Sequence, residues 1–153
     1  MTSLRVDTAS RIIAASPDAI YRAFVERDAL LAWLPPNGMT GEIEAFEPRK
    51  GGPFRMVLHY NEGGRGKTTE DTDVVDAEFD ELVPGRRVVQ LVKFRSDDPA
   101  FAGTMRMVWD LEPAPGGTRV IFLAEDVPEG ISKQDHDAGL HSSLENLEAY
   151  VTR

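Results

Sequence analysis

The sequence contains no cysteine, which excludes disulfide bonds and thiolate chemistry. It also has no apolar run near the ~20 residues that a membrane-spanning helix needs. The N-terminal stretch MTSLRVDTASR places arginine and aspartate where a secretory signal has an apolar segment of ~7–15 residues. These absences predict a soluble protein of the cytoplasm.

Basic charge is scarce, since 17 Lys and Arg residues face 26 Asp and Glu residues and the net charge is −9. The densest basic patches are two single pairs, Arg49-Lys50 and Arg86-Arg87. A phosphate backbone would be repelled by this charge unless a local basic stripe overcame it. We therefore expect no nucleic-acid partner.

The chain shows no internal repeat, no low-complexity tract and no long linker. Its 153 residues, 41% of them hydrophobic, match one ordinary domain that buries ~70% of the surface of its unfolded chain. We expect residues 1–153 to form a single domain.

Two short helices are expected after a first strand over residues 4–15, where apolar and polar side chains alternate. Ser16-Pro17 predicts the start of the first helix, because serine caps helices and proline fits their first turn. Asp28 is predicted to cap the second helix, which Pro35-Pro36 ends.

Six β-like segments follow, separated by turn sequences such as Gly51-Gly52 and Pro84-Gly85. They are expected at about 41–47, 53–60, 71–82, 86–95, 103–112 and 117–125. Consecutive antiparallel hairpins are the simplest topology for such short connections. At Gly51-Gly52 we expect a tight turn with at least one positive φ.

A long helix is expected from Ser132 to Thr152, with Asp135 completing a variant of the capping box. Its apolar stripe consists of Leu140, Leu144, Leu147 and Val151. We expect His136, Gly139 and Ser143 to lie in the same sector of the helix. These residues are smaller or more polar than those typical of a helix that only fills a core. The helix could therefore cover a cavity.

This order of elements resembles the helix-grip fold of the START-like superfamily, also called SRPBCC. The stretches that carry the resemblance are SRIIAASPDAIYRAF, EPRKGGPFRM, DAEFDELVPGRRVV, GTRVIF and AGLHSSLENLEAYV. The closest family is that of the homologues of the activator of the heat-shock-protein-90 ATPase. The resemblance implies an α+β protein with the order β-α-α-β-β-β-β-β-β-α, in which a curved antiparallel sheet of about seven strands grips a C-terminal helix. Members often hold a pocket between the two.

The residues expected to line such a pocket come from alternate strand positions, the helices and the loop 96–103. The mouth of the pocket is expected near the second helix, with an aromatic residue of this loop as its lid. They are Trp33, Phe54, Met56, Leu58, Phe79, Gln90, Phe94, Phe101, Met105, Met107, Trp109, His136, Gly139, Leu140 and Ser143. The alternative is that these side chains simply fill the core.

The histidines do not match a metal site, because His136 and His141 are five residues apart and a helical pair needs a spacing near four. His59 lies in the outward phase of its strand. Ser143 follows His136 by two helical turns, too far for a nucleophile and its base. We expect no metal, no other cofactor and no catalytic constellation, while His136 either bonds a ligand or packs on Ile131.

Binding of a small apolar or aromatic molecule is the function expected first. The alternatives are a cyclase or aromatase acting on polyketides, as other START-like proteins do, and a protein-interaction domain with a chaperone as partner. The chaperone is the weaker expectation, because the eukaryotic activator also has an N-terminal domain for which 153 residues leave no room. A monomer or a homodimer fits the sequence equally well.

Overall fold

The computed structural model describes residues 5–35, 38–60, 72–94 and 103–153, with the backbone alone for Thr72, Asp73 and Phe94. In chain order the elements are β1 (Val6–Ile13), α1 (Pro17–Val25), α2 (Arg27–Trp33), β2 (Met39–Phe46), β3 (Pro53–Tyr60), β4 (Thr72–Val83), β5 (Arg87–Phe94), β6 (Gly103–Ala114), β7 (Gly117–Glu125) and α3 (Lys133–Val151).

These strands form one curved antiparallel sheet in the spatial order β1-β7-β6-β5-β4-β3-β2. From β2 to β7 each strand pairs with the next along the chain, and β1 pairs with β7. The expected α+β helix-grip order is thereby confirmed. The strands β3, β5 and β7 all finish at one end of the sheet, and we call this end the loop end.

The helices cover one face of the sheet, which we call the concave face. There α1 contacts β5 and β6, α2 contacts β2, and α3 contacts β1 and β7. Apolar strand side chains are buried on this face at alternate positions, as the two-residue period of a strand requires. The strand members of the main core are Ala9, Ile13, Ile43, Phe54, Met56, Leu58, Ala77, Phe79, Val88, Trp109, Leu111, Val120 and Phe122.

Aromatic rings fill the core beneath α1. Trp109 stacks on Phe122 with a centroid separation of 3.5 Å, and Phe24 of α1 lies 4.9 Å from Trp109. Trp33 completes the cluster and donates its indole N–H to the carbonyl of Ala23 at 2.8 Å. Because the polar group of Trp33 is satisfied and its ring is buried, this end of the concave face is solid core.

The start of α1 follows the expected pattern, while the start of α2 does not. The Ser16 hydroxyl accepts from Ala19 N at 3.1 Å, with Pro17 in the first turn. Asp28 does not cap α2: the helix begins at Arg27, and its cap residue Glu26 makes no side-chain capping bond. The reason is that Glu26 also ends α1, so one residue joins the two helices and Asp28 already lies in the first turn.

The turn between β2 and β3 confirms the expected glycine conformation. Gly51 has φ +79°, and a Cβ on Gly52 would lie 2.0 Å from the carbonyl oxygen of Glu47. The turn also folds onto β4, where Gly51 N donates to Phe79 O at 2.6 Å and Phe79 N donates to Gly52 O at 2.9 Å. Both glycines are therefore required by local geometry.

The C-terminal helix α3 lies alongside β1 and starts at the loop end. Ser132 caps it by accepting from Asp135 N at 3.1 Å, and Leu140, Leu144 and Leu147 are buried. Near its other end, Glu148 pairs with Arg11 of β1 at 2.8 Å. Among the described residues, no helix is long and apolar enough to cross a membrane.

Candidate functional site

A row of five residues crosses the concave face from the edge strand to the middle of the sheet. In register, Asp7 of β1 faces Ala124, Ala124 faces Met107, Met107 faces Gln90 and Gln90 faces Phe79. We call this set the concave row. It is notable because two of its members, Asp7 and Gln90, are buried polar residues on an otherwise apolar face.

Gln90 is 6% exposed, and only one of the two polar groups of its side chain has a hydrogen-bond partner among the described residues. Its side-chain oxygen accepts from the indole N–H of Trp109 at 3.3 Å. An indole nitrogen can only donate, so this bond fixes which way the amide lies. In the described part of the chain the NH₂ group of Gln90 has no protein hydrogen-bond partner. Its nitrogen is not fully buried, so it can bond to water or to a ligand.

Partly exposed apolar residues surround Gln90 and pack against the main core, whereas the rings beneath α1 are buried. Val75, Val92 and Met107 lie on the concave face near the loop end and keep part of their surface exposed. We call these three residues and Gln90 the central cleft. Beyond the cleft, Met105 belongs to a second, separate cluster with Ala124 and Val127, and Met107 touches both cores.

At the edge of the sheet, the concave row ends in an ion cluster built around Asp7. The side chain of Asp7 is fully buried and accepts from Arg5 at 2.7 Å and from His136 Nδ1 at 2.7 Å. Lys133 lies 3.7 Å away. The bond from Arg5, reinforced by that from His136, lowers the pKa of Asp7 from 3.8 to about 2 despite the opposing effect of desolvation.

The Asp7 bond decides what the imidazole of His136 can do. Since the Asp7 carboxylate is ionised at neutral pH and can only accept, Nδ1 of His136 carries the proton of this bond. In the neutral ring, Nε2 is then a hydrogen-bond acceptor or a base. Nε2 has no partner among the described residues, and the ring is 12% exposed.

Many of the residues expected to line the pocket lie in the solid part of the core. Trp33, Phe54, Met56, Phe79, Trp109 and Leu140 are at most 2% exposed. With so little accessible surface, these side chains do not line an open space on the concave face, and they support the site through packing. Leu58, Gln90 and Met105 are almost as buried, whereas Met107, His136 and Ser143 keep partial exposure.

Three expected positions differ from this picture. Gly139 is exposed, and a Cβ built on it meets no described atom within 4 Å. It lies ~100° around the helix from Leu140, which places it outside the buried sector to which we had assigned it. The side chain of Phe94 and the whole of Phe101, with its loop, lie outside what the structure describes.

Trp33 borders a different groove, between α2 and the last turns of α3. This groove has a volume of about 400 Å³ and is also lined by Asn146, Tyr150 and Arg153. Another depression, of about 420 Å³, lies at the opposite end of the sheet from the loop end, beside the Arg87–Asp110 ion pair. Neither includes a residue of the concave row.

The described residues offer no group of three His, Asp or Glu side chains suited to a metal ion. His59 lies on the outer face, 3.5 Å from Glu42. His141 is exposed and bonded to the carbonyl of Asp137 at 2.8 Å. Of the three histidines, His136 alone therefore reaches the concave row.

Asp7 is a member of the candidate site that the sequence did not single out. The strand period gives no signal for it, because the phase that Asp7 shares with the buried Ala9 and Ile13 also holds Arg11, while the other phase holds the exposed Val6 and Ile12. Nor does the sequence indicate the partner of Asp7, which comes from α3, 129 residues along the chain.

The comparisons with known proteins agree with this architecture. A model of the family described as Activator of Hsp90 ATPase homolog 1-like protein matches residues 14–152. The chain belongs to this family. No curated protein matches it in a sequence comparison.

Solved structures with the same fold come from several bacteria. A protein from Chromobacterium violaceum is 28% identical, with 97% of each chain covered and a TM-score of 0.82. One from Rhodobacter sphaeroides is 21% identical over 99% of this chain and 94% of that chain, with a TM-score of 0.80. The AHSA1 protein of Silicibacter pomeroyi is 20% identical over 97% of this chain and 98% of that chain, with a TM-score of 0.78.

Membership of the Activator of Hsp90 ATPase homolog 1-like family accounts for the START-like fold and for the helix across the sheet. It does not name a ligand. The chemistry of the site therefore depends on the side chains of the concave row and the central cleft.

Proposed function

We propose that this protein binds a small apolar or aromatic molecule in the central cleft, against the N-terminal half of α3. The observation that carries the proposal is Gln90, a largely buried residue whose NH₂ group has no protein partner among the described residues, is not fully buried itself and lies beside partly exposed apolar side chains. Small-molecule sites typically combine an apolar lining with a few placed polar groups. A ligand oxygen would satisfy the NH₂ group that the protein leaves unpaired.

The arrangement of the helices supports the same position. α1 closes the part of β5 and β6 that carries Val88 and Trp109, while α2 packs on β2 and α3 packs on β1 and β7. The central strands at the loop end lie between these contacts. Apolar surface left partly exposed in such a concave position is suited to a ligand.

The charge distribution favours an uncharged ligand. The central cleft contains three apolar residues and one amide, and the nearest ion cluster, at Asp7, is already paired internally. Desolvating a ligand charge against such a surface would be costly. A neutral aromatic or aliphatic compound meets this surface without that cost.

A pair of neighbouring substitutions on β5 tests the proposal. Val92 and Leu91 are adjacent, are both partly exposed, and lie on opposite faces of the sheet. Val92→Phe should fill the cleft and weaken binding of naphthalene by about tenfold or more, a loss of about 1.4 kcal/mol. Leu91→Phe, the matched control, should leave binding unchanged.

Isothermal titration with naphthalene, together with thermal melts of both variants, gives the answer. Loss of binding in Val92→Phe alone, with both proteins folded, would support the cleft. Equal binding by both variants, or no binding by the wild type, would overturn the proposal.

A second candidate function is supported by the Asp7–His136 pair. A histidine held by a buried carboxylate is the base and orienting group of many acid–base enzymes. With Nε2 as a base, the site could move a proton on a bound aromatic or polyketide substrate, as a cyclase does. Proton exchange at an acidic carbon of a bound ketone, measured by deuterium incorporation and abolished by His136→Phe, would distinguish this activity from binding alone.

A further inference from the structure

The first strand of the chain, β1, forms one edge of the sheet, with β7 as its neighbour. Within the described ranges, no hydrogen bond reaches the backbone of residues 6–12 from the side away from β7. A free row of backbone N–H and C=O groups is a template for pairing with another strand, unless the edge is protected. The edge of β1 is therefore open to a further strand.

The opposite edge, β2, is protected in ways that β1 is not. The β2 ladder is broken by a register shift between Ile43 and Ala45, and Glu42 and Glu44 place exposed charges along the strand. Arg27 also donates to the carbonyl of Ile43 at 3.2 Å. By contrast, β1 pairs with β7 through eight consecutive residues without a shift. Because bulges and charges prevent edge pairing, β1 is the edge suited to association.

The outer face of β1, opposite the concave face, is uncharged and partly apolar. It carries Val6, Thr8, Ser10 and Ile12. Val6 is 49% exposed and Ile12 is 48% exposed, and in the part of the chain that the structure describes no other large hydrophobic residue is this exposed. The helix α3 reaches β1 from the concave side, so these two side chains remain uncovered.

The positions of Val6 and Ile12 are symmetric about Ala9, since each lies three residues from it. When two copies of β1 pair antiparallel with Ala9 opposite Ala9, Val6 of each copy lies opposite Ile12 of the other. Apolar pairs of this kind stabilise a sheet, and the same register sets Asp7 opposite Arg11 with no like charges facing each other. The strand is therefore complementary to a second copy of itself under a twofold axis, the usual symmetry of a homodimer.

We propose that this protein forms a homodimer through the edge of β1, in which two sheets join antiparallel about Ala9. One strand pair buries less than the ~1,200 Å² of a stable interface, so the dimer is expected to be weak. Two copies that each carry a net charge of −9 also repel each other. Association is therefore measured at about 0.5 M salt, where this repulsion is screened.

Sedimentation equilibrium at concentrations up to about 1 mM measures the association of the wild type, for which we expect a concentration-dependent dimer. Ile12→Lys should weaken dimerisation by about tenfold or more, because it replaces both Val6–Ile12 contacts and places two lysine charges in the interface. Leu91→Lys is the matched control. Leu91 is partly exposed in the same register row of the outer face as Val6 but lies three strands from β1, so this variant should dimerise like the wild type. Thermal melts show whether both variants are folded.

The absence of cysteine from the chain allows a direct test of the register. Val6→Cys and Ile12→Cys, mixed in equal amounts under mild oxidation, should cross-link to a dimer on a non-reducing gel. Opposite residues of antiparallel strands lie about 4.5–5.5 Å apart, within the span of a disulfide. Either variant alone should not cross-link, since its two cysteines would lie about 20 Å apart along the strand pair.

Dimerisation that is lost in Ile12→Lys alone, together with cross-linking only in the mixture, would support the proposal. A wild type that stays monomeric at about 1 mM would overturn it, as would an Ile12→Lys variant that dimerises like the wild type. Cross-linking of each single variant as fast as the mixture would show a contact in another register and would also overturn it. None of these results depends on ligand binding, so this inference and the proposed function can fail separately.

Discussion

Asp7 is the residue on which the start of α3 depends most directly. Its side chain is fully buried, its charge is balanced by Arg5 and Lys133, and His136 donates a hydrogen bond to it, while Arg5 also donates to the carbonyl of Ile131. Removing one partner of a buried pair leaves the remaining charges uncompensated. The cluster therefore links β1, the segment before α3, and the first turn of α3.

The depressed pKa of Asp7 predicts a specific pH dependence of stability. Its pKa is about 2 in the folded protein against an ordinary 3.8. The stabilisation from its ionised form is therefore fully present above about pH 4 and is lost as the pH falls toward about 2. This shift is equivalent to about 2 kcal/mol of unfolding free energy.

Urea unfolding of the wild type and of Asp7→Asn, measured between about pH 5 and pH 2, tests this prediction. The difference in unfolding free energy should shrink by about 2 kcal/mol as the pH is lowered across this range. A difference that stays constant with pH would show that the Asp7 charge does not contribute as described.

At the scale of elements, the turn between β2 and β3 joins three strands because its glycines bond to Phe79 in β4. The two glycines are needed for different reasons. Gly51 needs only a positive φ, since a Cβ there meets no described atom within 4 Å, whereas a Cβ on Gly52 would collide with the backbone of Glu47.

Alanine substitutions should separate these two causes. Gly51→Ala is expected to cost about 1 kcal/mol of stability, as is the control Gly116→Ala, which also has a positive φ and open surroundings. Gly52→Ala should cost more than about 2 kcal/mol, because the carbonyl of Glu47 must move. Equal costs for all three variants in thermal or denaturant unfolding would contradict the clash.

Local signals predicted most element boundaries, and one exception shows their limit. Ser16-Pro17 and Ser132 started their helices where expected because a cap acts through bonds within one turn. Asp28 failed as a cap because the residue that ends α1 also begins α2, an effect of chain connection that overrides local preference.

At the scale of the whole molecule, the two ends of the concave face differ. Beneath α1, rings such as Trp109 and Phe122 fill the space, while at the loop end Val92 and Met107 keep exposed surface. The period of the strands predicted that both groups share one face. The period could not show whether a side chain fills the core or lines a cleft, because this depends on how far each helix reaches across the sheet.

The same limit applies to the candidate site. Gln90 and His136 could be chosen from the sequence as polar residues in apolar phases. Their spare hydrogen-bonding groups became evident only from contacts with Trp109 and Asp7, which are distant in sequence. Family membership adds the fold but no ligand, so the proposed function depends on the position of the cleft.

The methyl groups of methionine provide the most direct measurement of that position. The chain has five methionines; Met107 lies in the central cleft, and Met56 is fully buried next to Gly41. In a titration with naphthalene, followed by NMR of methyl-labelled methionines, the Met107 resonance should show the largest shift and Met56 should stay nearly unchanged. Saturable naphthalene binding that leaves Met107 unshifted would contradict the account.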